Sequence, residues 1–476
     1  MLAEKAFSKI QIFEQRASVG GIWNYVPCPE EAPRDLAVPQ VDSHAGVDEP
    51  IWQSSNNAGA VVGEKDREQA AFLTPMYDRL ETNIPRGLMG FSDLPWPKDN
   101  QLFPKHGEVL DYIEEFSKDV RHLISFETQV LGVRRDDASG TWKVKTRPIS
   151  RYSNNDVFDH TFDALVVANG HFNIPCIPPV EGMVEWHRAY PGAITHSKFY
   201  RKPEHYAGQK VIIVGNSASG IDIGAQIRTQ CQKPLIASTK SQSYLQTEQP
   251  PDQLDKPPIS KYVVEGRTVV FSDGSIEKDI DAVLYCTGYF YSFPFMESLD
   301  PPLTTTGERV ENLYQHLFYR PHPTLVFPVL NQKVIPFPFA EAQGSVIARV
   351  FSGRLSLPSE WEMKQWEDKA TSESGSGREF HVLKFPKDAD YINMMHDWAM
   401  SADDEGKTVN GDHGSTGRNP PYWTEQEYWM RERFPAIKKA FQDQGEARHE
   451  KKTLEDVGFD FEKWKQEKVE ESKRLL

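Results

Sequence analysis

Val211-Ile-Ile-Val-Gly-Asn-Ser-Ala-Ser-Gly220 decides the fold. Four apolar residues, Val211 to Val214, make a short buried strand. Gly215 to Gly220 is too rich in small residues to continue it and reads as a tight loop. From Ile221 to Arg228 the spacing turns helical, with Ile221, Ala225 and Arg228 on one side. A second strand follows at Pro234–Ser238, so the stretch is a strand–loop–helix–strand unit. In such a unit Gly215 permits the sharp turn. Ser217 stands where a second glycine usually admits a pyrophosphate, and its hydroxyl can donate to phosphate. Gly220 lets the helix lie close to the strand. The helix start adds unpaired N–H groups and partial positive charge. Lys240 stands just past the second strand, where a site for NAD would carry an acid. A cation there suits the 2′-phosphate of NADP. An ordinary turn and a solvated lysine are the plain alternatives.

Working outward, Asp163-Ala-Leu-Val-Val-Ala-Asn-Gly-His-Phe172 matches Asp281-Ala-Val-Leu-Tyr-Cys-Thr-Gly-Tyr-Phe290. Each is a buried-strand run ending in a polar residue and a glycine. They lie too far apart for a solenoid repeat. Two related crossover strands bracketing one inserted domain fit the pattern; a chance match of apolar strands is the other reading. Leu2–Ser8 reads as the end of a helix and Ile10–Phe13 as a strand. Glu14 ends it, at the place where a dinucleotide fold keeps an acid for a ribose. The matching glycine loop would lie about 20 residues earlier, before Met1. That leaves Glu14 either an ordinary strand-end carboxylate or the survivor of a lost first strand and loop, with Ile10–Phe13 lacking a neighbour. Residues 27–67 read as a long surface loop. A helix is expected at Val109–Phe116, strands at 126–133 and 141–146, and a turn at Asp136–Gly140. Beyond Pro358 the chain is rich in Trp, Glu and Lys. It reads as a peripheral helical extension, with an amphipathic helix at Tyr422–Phe441 and loops at Ser372–Gly377 and Ser401–Gly417.

The chain has 476 residues, enough for two or three domains. Hydrophobic residues make up 38% and the formal net charge is -15. The first suits a globular fold; the second argues against a nucleic-acid or anionic-membrane binder. Cys28, Cys176, Cys231 and Cys286 form no CxxC pair and no zinc spacing, and read as reduced thiols of a cytoplasmic protein. No apolar run is long enough for a transmembrane helix. The start has no signal-peptide pattern, because Glu4 and Lys5 fall where the apolar core would be.

Tyr190-Pro-Gly-Ala-Ile-Thr-His-Ser-Lys-Phe-Tyr200, just ahead of the glycine loop, resembles the fingerprint of the flavin-containing monooxygenases, F-x-G-x-x-x-H-x-x-x-[YF]. Gly192, His196 and Tyr200 match, and Tyr190 stands for the usual Phe. His196 is read as structural rather than as a base. Glu14-Gln-Arg-Ala-Ser-Val-Gly-Gly-Ile-Trp-Asn-Tyr25 is similar to that family's second FAD segment. The similarity implies Glu14 on the adenosine ribose, Arg16 and Ile22 among the FAD contacts, Gly20 and Gly21 close to the flavin, and Trp23 packed beside it. Met76-Tyr-Asp-Arg-Leu-Glu-Thr-Asn83 and Phe91-Ser-Asp-Leu-Pro-Trp96 are similar to the active-site segment. They imply Thr82 as a cofactor contact and Asn83 as the catalytic residue facing flavin and nicotinamide. Read from its neighbours alone, Asn83 is a turn residue before Pro85. Pro336-Phe-Pro-Phe-Ala-Glu-Ala-Gln343 resembles the segment that returns to the ring, with Gln343 near it.

The resemblance covers about residues 7–360, with its motifs in the family order. It implies an α/β fold with two Rossmann-like dinucleotide-binding domains. An FAD domain at 1–170 and 290–360 would carry an inserted NADPH domain at 171–289, with a helical extension at 361–476. FAD and NADPH are the implied cofactors. Gly215, Ser217, Ala218, Ser219, Gly220 and Lys240 would hold NADPH. NADPH would reduce FAD, O2 would form a C4a-hydroperoxyflavin, and a soft nucleophile, an amine nitrogen or a sulfide, would take one oxygen atom. No metal is implied, and a homodimer is left open. Family members carry a first G-x-G-x-x-G loop on the FAD pyrophosphate and this sequence has none, which suggests an N-terminally truncated sequence or a lost site. Two other functions stay open. Baeyer–Villiger monooxygenases end the fingerprint in Trp-Pro, where this chain has Tyr200-Arg201. A non-catalytic NADPH-binding protein would have lost the FAD loop.

Overall fold

The structure is a computed structural model; it describes residues 1–27, 36–44, 46–54, 68–151, 156–243, 245, 249–403 and 417–474. Cys28 and residues 404–416 of the expected Ser401–Gly417 loop lie outside them, as do 28–35, 45 and 55–67 of the expected 27–67 loop. The fold is α/β, divided into two units. One comprises Met1–Gln15, Glu81–Gly170 and Phe295–Leu476; the other comprises Arg16–Leu80 and His171–Pro294. Residues 16–80 therefore pack in the second unit, whereas the sequence placed all of 1–170 in one part.

The second unit is built on a five-stranded parallel sheet. Its order is Ile194–His196, Ala282–Tyr285, Val211–Val214, Leu235–Ser238 and Gln253–Lys256. Both faces of its three central strands are covered, which is why Ala282–Tyr285, Val211–Val214 and Leu235–Ser238 are nearly continuous apolar runs rather than alternations. Period-two geometry splits each strand between two cores. Val211, Ile213, Leu235, Ala282 and Leu284 pack with Ile223 and Ile227 of the helix Ala218–Ile227. Ile212, Ile236, Val283 and Tyr285 pack on the other face with Trp186, Tyr262 and Phe271. An antiparallel meander, Ile259–Val263, Thr268–Phe271 and Ile276–Glu277, contributes to that second core.

The strands of the matching 163–172 and 281–290 runs lie in different sheets. Ala282–Tyr285 sits inside the second unit's sheet, while Leu165–Val166 pairs in the first unit with Leu325–Val326. The pairing falls one step later, where Tyr289–Phe290 runs antiparallel to Ile174–Pro175. The 27–67 stretch is also more than loop. Ile51–Ser54 pairs antiparallel with Glu68–Ala71. A four-residue strand with a distant partner leaves little periodicity to read.

In the first unit the strand at the start is Ile12–Phe13, and it has a neighbour: it pairs in parallel with Ile124–Ser125. Backbone bonds from Glu14 N–H to Ser125 O and from Thr128 N–H to Glu14 O, 3.0 and 2.9 Å, continue the ladder. The expectation of an unpartnered strand is thereby corrected; its partner stands more than a hundred residues away and no local signal reports it. Only a 3-10 turn, Leu2–Glu4, precedes it. Thr128–Asp136, Thr141–Pro148 and Phe158–Phe162 form an antiparallel sheet around the fully buried Trp142.

The helices beyond residue 358 are not peripheral. Glu360–Ser374 and Glu425–Gln442 open on capping boxes, Ser359 with Glu362 and Thr424 with Glu427. Ile392, Met395, Trp429, Ile437 and Phe441 share one core with Phe103, Phe318, Phe339 and Val346. A buried ion pair, Arg431 Nε to Asp388 Oδ2 at 2.7 Å, ties Lys387–Met400 to Glu425–Gln442. Breaking such a pair strands a buried charge. The high charge of this region hid its apolar stripes. No helix among the described residues is long and apolar enough to cross a membrane.

Candidate cofactor site

The second unit's chain order reverses at Val211–Val214. Successive strands build outward to Leu235–Ser238 and Gln253–Lys256 on one side, and Ala282–Tyr285 lies on the other. The carboxyl end of the strand at such a reversal is where open α/β sheets hold ligands. Gly215 stands there with φ +105°, and a Cβ on it would come within 2.7 Å of Cys286 O. A Cβ on Gly220 would lie 2.0 Å from Gly215 O. Neither position admits a side chain, so the backbone folds into a bare cradle. Ser217 is the N-cap residue of Ala218–Ile227, yet its side chain makes no capping bond. Ser217 and Ser219 are exposed. The N–H groups of the first helical turn lack carbonyl partners in the helix by geometry. These donors, two hydroxyls and the helix dipole suit a pyrophosphate. Lys240 is exposed just past Leu235–Ser238, within the same unit.

The Tyr190–Tyr200 segment forms the edge of that sheet. Tyr190 ends the helix Met183–Ala189, and its hydroxyl donates to Val264 O at 2.6 Å. Gly192 turns the chain at φ +81° into the strand Ile194–His196. His196 is 0% exposed, and its Nδ1 accepts the Lys198 N–H at 3.1 Å. That makes it a cap for the turn Ser197–Phe199, in keeping with a structural histidine. Beside it, burial pushes the Lys198 ammonium down to about 8, with Arg16 and Arg201 acting in the same direction. Lys198 Nζ donates to the backbone and side-chain oxygens of Asn173, both at 2.6 Å.

The same unit holds a second glycine turn. Gly20 and Gly21 have φ of +102° and +50° and lead into the 3-10 turn Gly21–Trp23. Asn24 pins it: its Nδ2 donates to Val19 O and Gly21 O at 2.9 and 3.1 Å, and its Oδ1 accepts from Ser18 Oγ. Arg16 lies over the Phe72 ring. Glu14, which the sequence grouped with this turn, belongs to the first unit.

A family model described as flavin-binding monooxygenase-like matches residues 46–249 and 256–406. The chain belongs to the flavin-containing monooxygenase family. It is similar to the Arabidopsis thaliana flavin-containing monooxygenase FMO GS-OX-like 2, 32% identical over 82% of this chain and 79% of the relative. FMO GS-OX-like 9 of the same plant is 33% identical over 82% and 83%. Among solved structures, the S-allyl-L-cysteine S-oxygenase from Allium sativum superposes with a TM-score of 0.70 at 27% identity, covering 94% of this chain and 90% of that one. Tmm from Pelagibacter sp. strain HTCC7211 shares the fold, with a TM-score of 0.64 at 21% identity and coverage of 92% and 88%. The protein is therefore a flavoprotein monooxygenase and an oxidoreductase, and its family implies use of flavin and NADPH.

In this flavin-containing monooxygenase the remaining expected site residues lie in the first unit. Thr82 is buried, its N–H bonded to Pro104 O and its carbonyl accepting from Lys438 Nζ at 2.8 Å. Asn83 follows it, exposed. Gln343, expected near the ring, lies in the core. It is 0% exposed; its Oε1 accepts the Val329 N–H at 2.8 Å and its Nε2 donates to Tyr391 Oη at 3.0 Å. Sequence reasoning also passed over Arg201 and Tyr77. Tyr77 stood in the Met76–Asn83 segment and Arg201 just past the fingerprint, and only their contacts show what they do.

Proposed function

We propose that this monooxygenase takes its reducing equivalents from NADPH and transfers one oxygen atom of O2 to a soft nucleophile, a sulfide sulfur in the first place. The observation that carries the reading is the side-chain-free cradle of Gly215 and Gly220 at the sheet reversal. When bound, the nicotinamide supplies hydride and the flavin supplies oxygen activation. Gly215, Ser217, Ala218, Ser219 and Gly220 hold the pyrophosphate of NADPH, and Lys240 offers its charge to the 2′-phosphate. Gly20, Gly21, Ile22 and Trp23 give a turn that a flat ring can approach, because a Cβ on Gly21 meets nothing within 4 Å. Arg16 and Glu14 serve the adenosine end. No second strand–glycine loop–helix stands among the described residues, so no residue here is assigned to the flavin pyrophosphate. Asn83 is the catalytic residue and donates its amide hydrogen bonds to the cofactors, with Thr82 beside it; Gln343 stands behind the ring as a buried member of the set.

Sulfur is preferred over nitrogen because the S-allyl-L-cysteine S-oxygenase, named for that chemistry, matches nearly the whole chain. Tyr200-Arg201 in place of Trp-Pro disfavours ketone oxygenation. Cys176, Cys231 and Cys286 are buried and free of disulfides, which supports a reducing compartment such as the cytoplasm. The test supplies FAD, NADPH and O2 and compares an alkyl-cysteine thioether, a tertiary amine and a cyclic ketone. Sulfoxide should be the main product. Asn83→Ala should go on consuming NADPH but release hydrogen peroxide in place of most of its product. An ester product, or unchanged product per NADPH in Asn83→Ala, would overturn the corresponding part of the reading.

A further inference from the structure

Two segments of the second unit, Thr74–Leu80 and the end of the fingerprint at Tyr200, converge on the helix Ala218–Ile227, and neither the nucleotide loop nor the structural role of His196 explains why. Asp222 lies on that helix one turn past its first N–H groups. Its Oδ2 accepts the Tyr77 hydroxyl and also Gln226 Nε2, the latter at 3.0 Å. Gln226 Oε1 in turn accepts the Tyr200 hydroxyl at 3.0 Å. The Tyr77 and Tyr200 rings meet edge to face, 5.2 Å between centroids. Burial, with the Asp222 carboxylate next, holds the Tyr77 phenol well above its usual range, so it stays a donor. The chain of bonds thus has one direction, with two donors ending on one carboxylate.

Arg201 makes a second set of ties to the same segment. The residue is 3% exposed. Its guanidinium donates to Met76 O and Thr74 O at 3.1 and 3.2 Å, and its own carbonyl accepts the Asp78 N–H at 3.0 Å. Thr74–Leu80 is therefore fastened to the nucleotide helix by Tyr77 and to the end of the fingerprint by Arg201. A proline at 201 would have no guanidinium to donate. Three residues past Leu80 the chain reaches Asn83.

We infer that Tyr77, Asp222 and Arg201 are positioning residues that register the Thr74–Leu80 segment on the helix whose start receives the dinucleotide. The inference rests on the reading of Gly215–Gly220 as the dinucleotide loop. A nucleotide that orders the first turn of Ala218–Ile227 then also steadies Asp222, and through it Tyr77. Binding of one ligand is felt at a second segment through shared order.

The test measures NADP⁺ affinity by calorimetry and amide hydrogen exchange of residues 74–80, each with and without NADP⁺. Tyr77→Phe keeps the ring and removes only the hydroxyl. In the unmutated protein NADP⁺ should slow exchange at Asp78 and Leu80, by roughly tenfold if one charge-assisted bond is steadied. Tyr77→Phe should bind NADP⁺ with nearly unchanged affinity and lose most of that slowing. Asp222→Asn should behave alike, and it serves if Tyr77→Phe fails to fold. Full NADP⁺-dependent slowing in a variant that folds would overturn the inference while leaving the nucleotide site intact. Failure of the unmutated protein to bind NADP⁺ would overturn the nucleotide reading, and this inference with it.

Discussion

In the turns at Gly215–Gly220 and at Gly20–Gly21, Gly220 and Gly21 are glycine for opposite reasons. At Gly220 the space a side chain would need is already filled by protein, 2.0 Å away at Gly215 O. At Gly21 that space is open and only the backbone angle, φ +50°, calls for glycine. The first turn is required by packing, because helix and strand must approach closely for the N–H groups to converge. The second is required by conformation alone and leaves its surface clear. The first is held from below by a five-stranded sheet whose three central strands are covered on both faces, the second mainly by the amide of Asn24. A rigid cradle suits a small, highly charged pyrophosphate; an open turn suits a broad flat ring.

Four substitutions can break or sharpen that contrast. The largest effect should come from Gly220→Ala. Its Cβ would strike a backbone oxygen, so the loop must shift at a cost of about 3 kcal/mol or more. NADP⁺ affinity should fall by on the order of a hundredfold, as the N–H groups lose their convergence. Calorimetry and thermal unfolding check both, and an unchanged melting temperature would show that the two glycines do not differ as argued. Lys240→Ala comes next. It should lower the preference for NADPH over NADH by roughly tenfold by removing the cation that meets the 2′-phosphate. NADH binding should stay as it was; a fall in both affinities alike would place Lys240 elsewhere in the site.

The third substitution acts on the other turn. Asn24→Ala removes three hydrogen bonds around Gly20–Gly21. Flavin retention should drop a few-fold, while NADP⁺ affinity stays within about twofold, since each lost bond contributes roughly 1 kcal/mol. Flavin absorbance per polypeptide reads this out, and an equal loss of NADP⁺ binding would mean that the turns are not independent. The smallest effect should follow Gly21→Ala. Nothing obstructs the new methyl group, and the left-handed backbone costs about 1 kcal/mol. Its melting temperature should drop by only a few degrees. A loss as large as that of Gly220→Ala would mean that the space above Gly21 is filled.

What the sequence by itself determined is local and chemical. A strand, a loop of small residues and a helix within eighteen residues, Val211 to Arg228, suffice to specify the strand–loop–helix unit, because apolar strand, turn and helix start are each encoded by neighbouring residues. The order of the motifs did the same for the family. What only the tertiary structure decided depends on partners far along the chain. Ile12–Phe13 finds Ile124–Ser125, and Ile51–Ser54 finds Glu68–Ala71, through backbone bonds that carry no side-chain signature. The partners of the Gln343 amide, Val329 N–H and Tyr391 Oη, are likewise set by the fold and not by its neighbours in sequence. The acidic tail looked peripheral until its few apolar residues were seen to meet those of Phe318–Tyr319 and Pro336–Phe351 in one core. The physical reason is the same in each case. Periodicity tells which face of an element is apolar, but which distant face will cover it is settled only when the whole chain excludes water together.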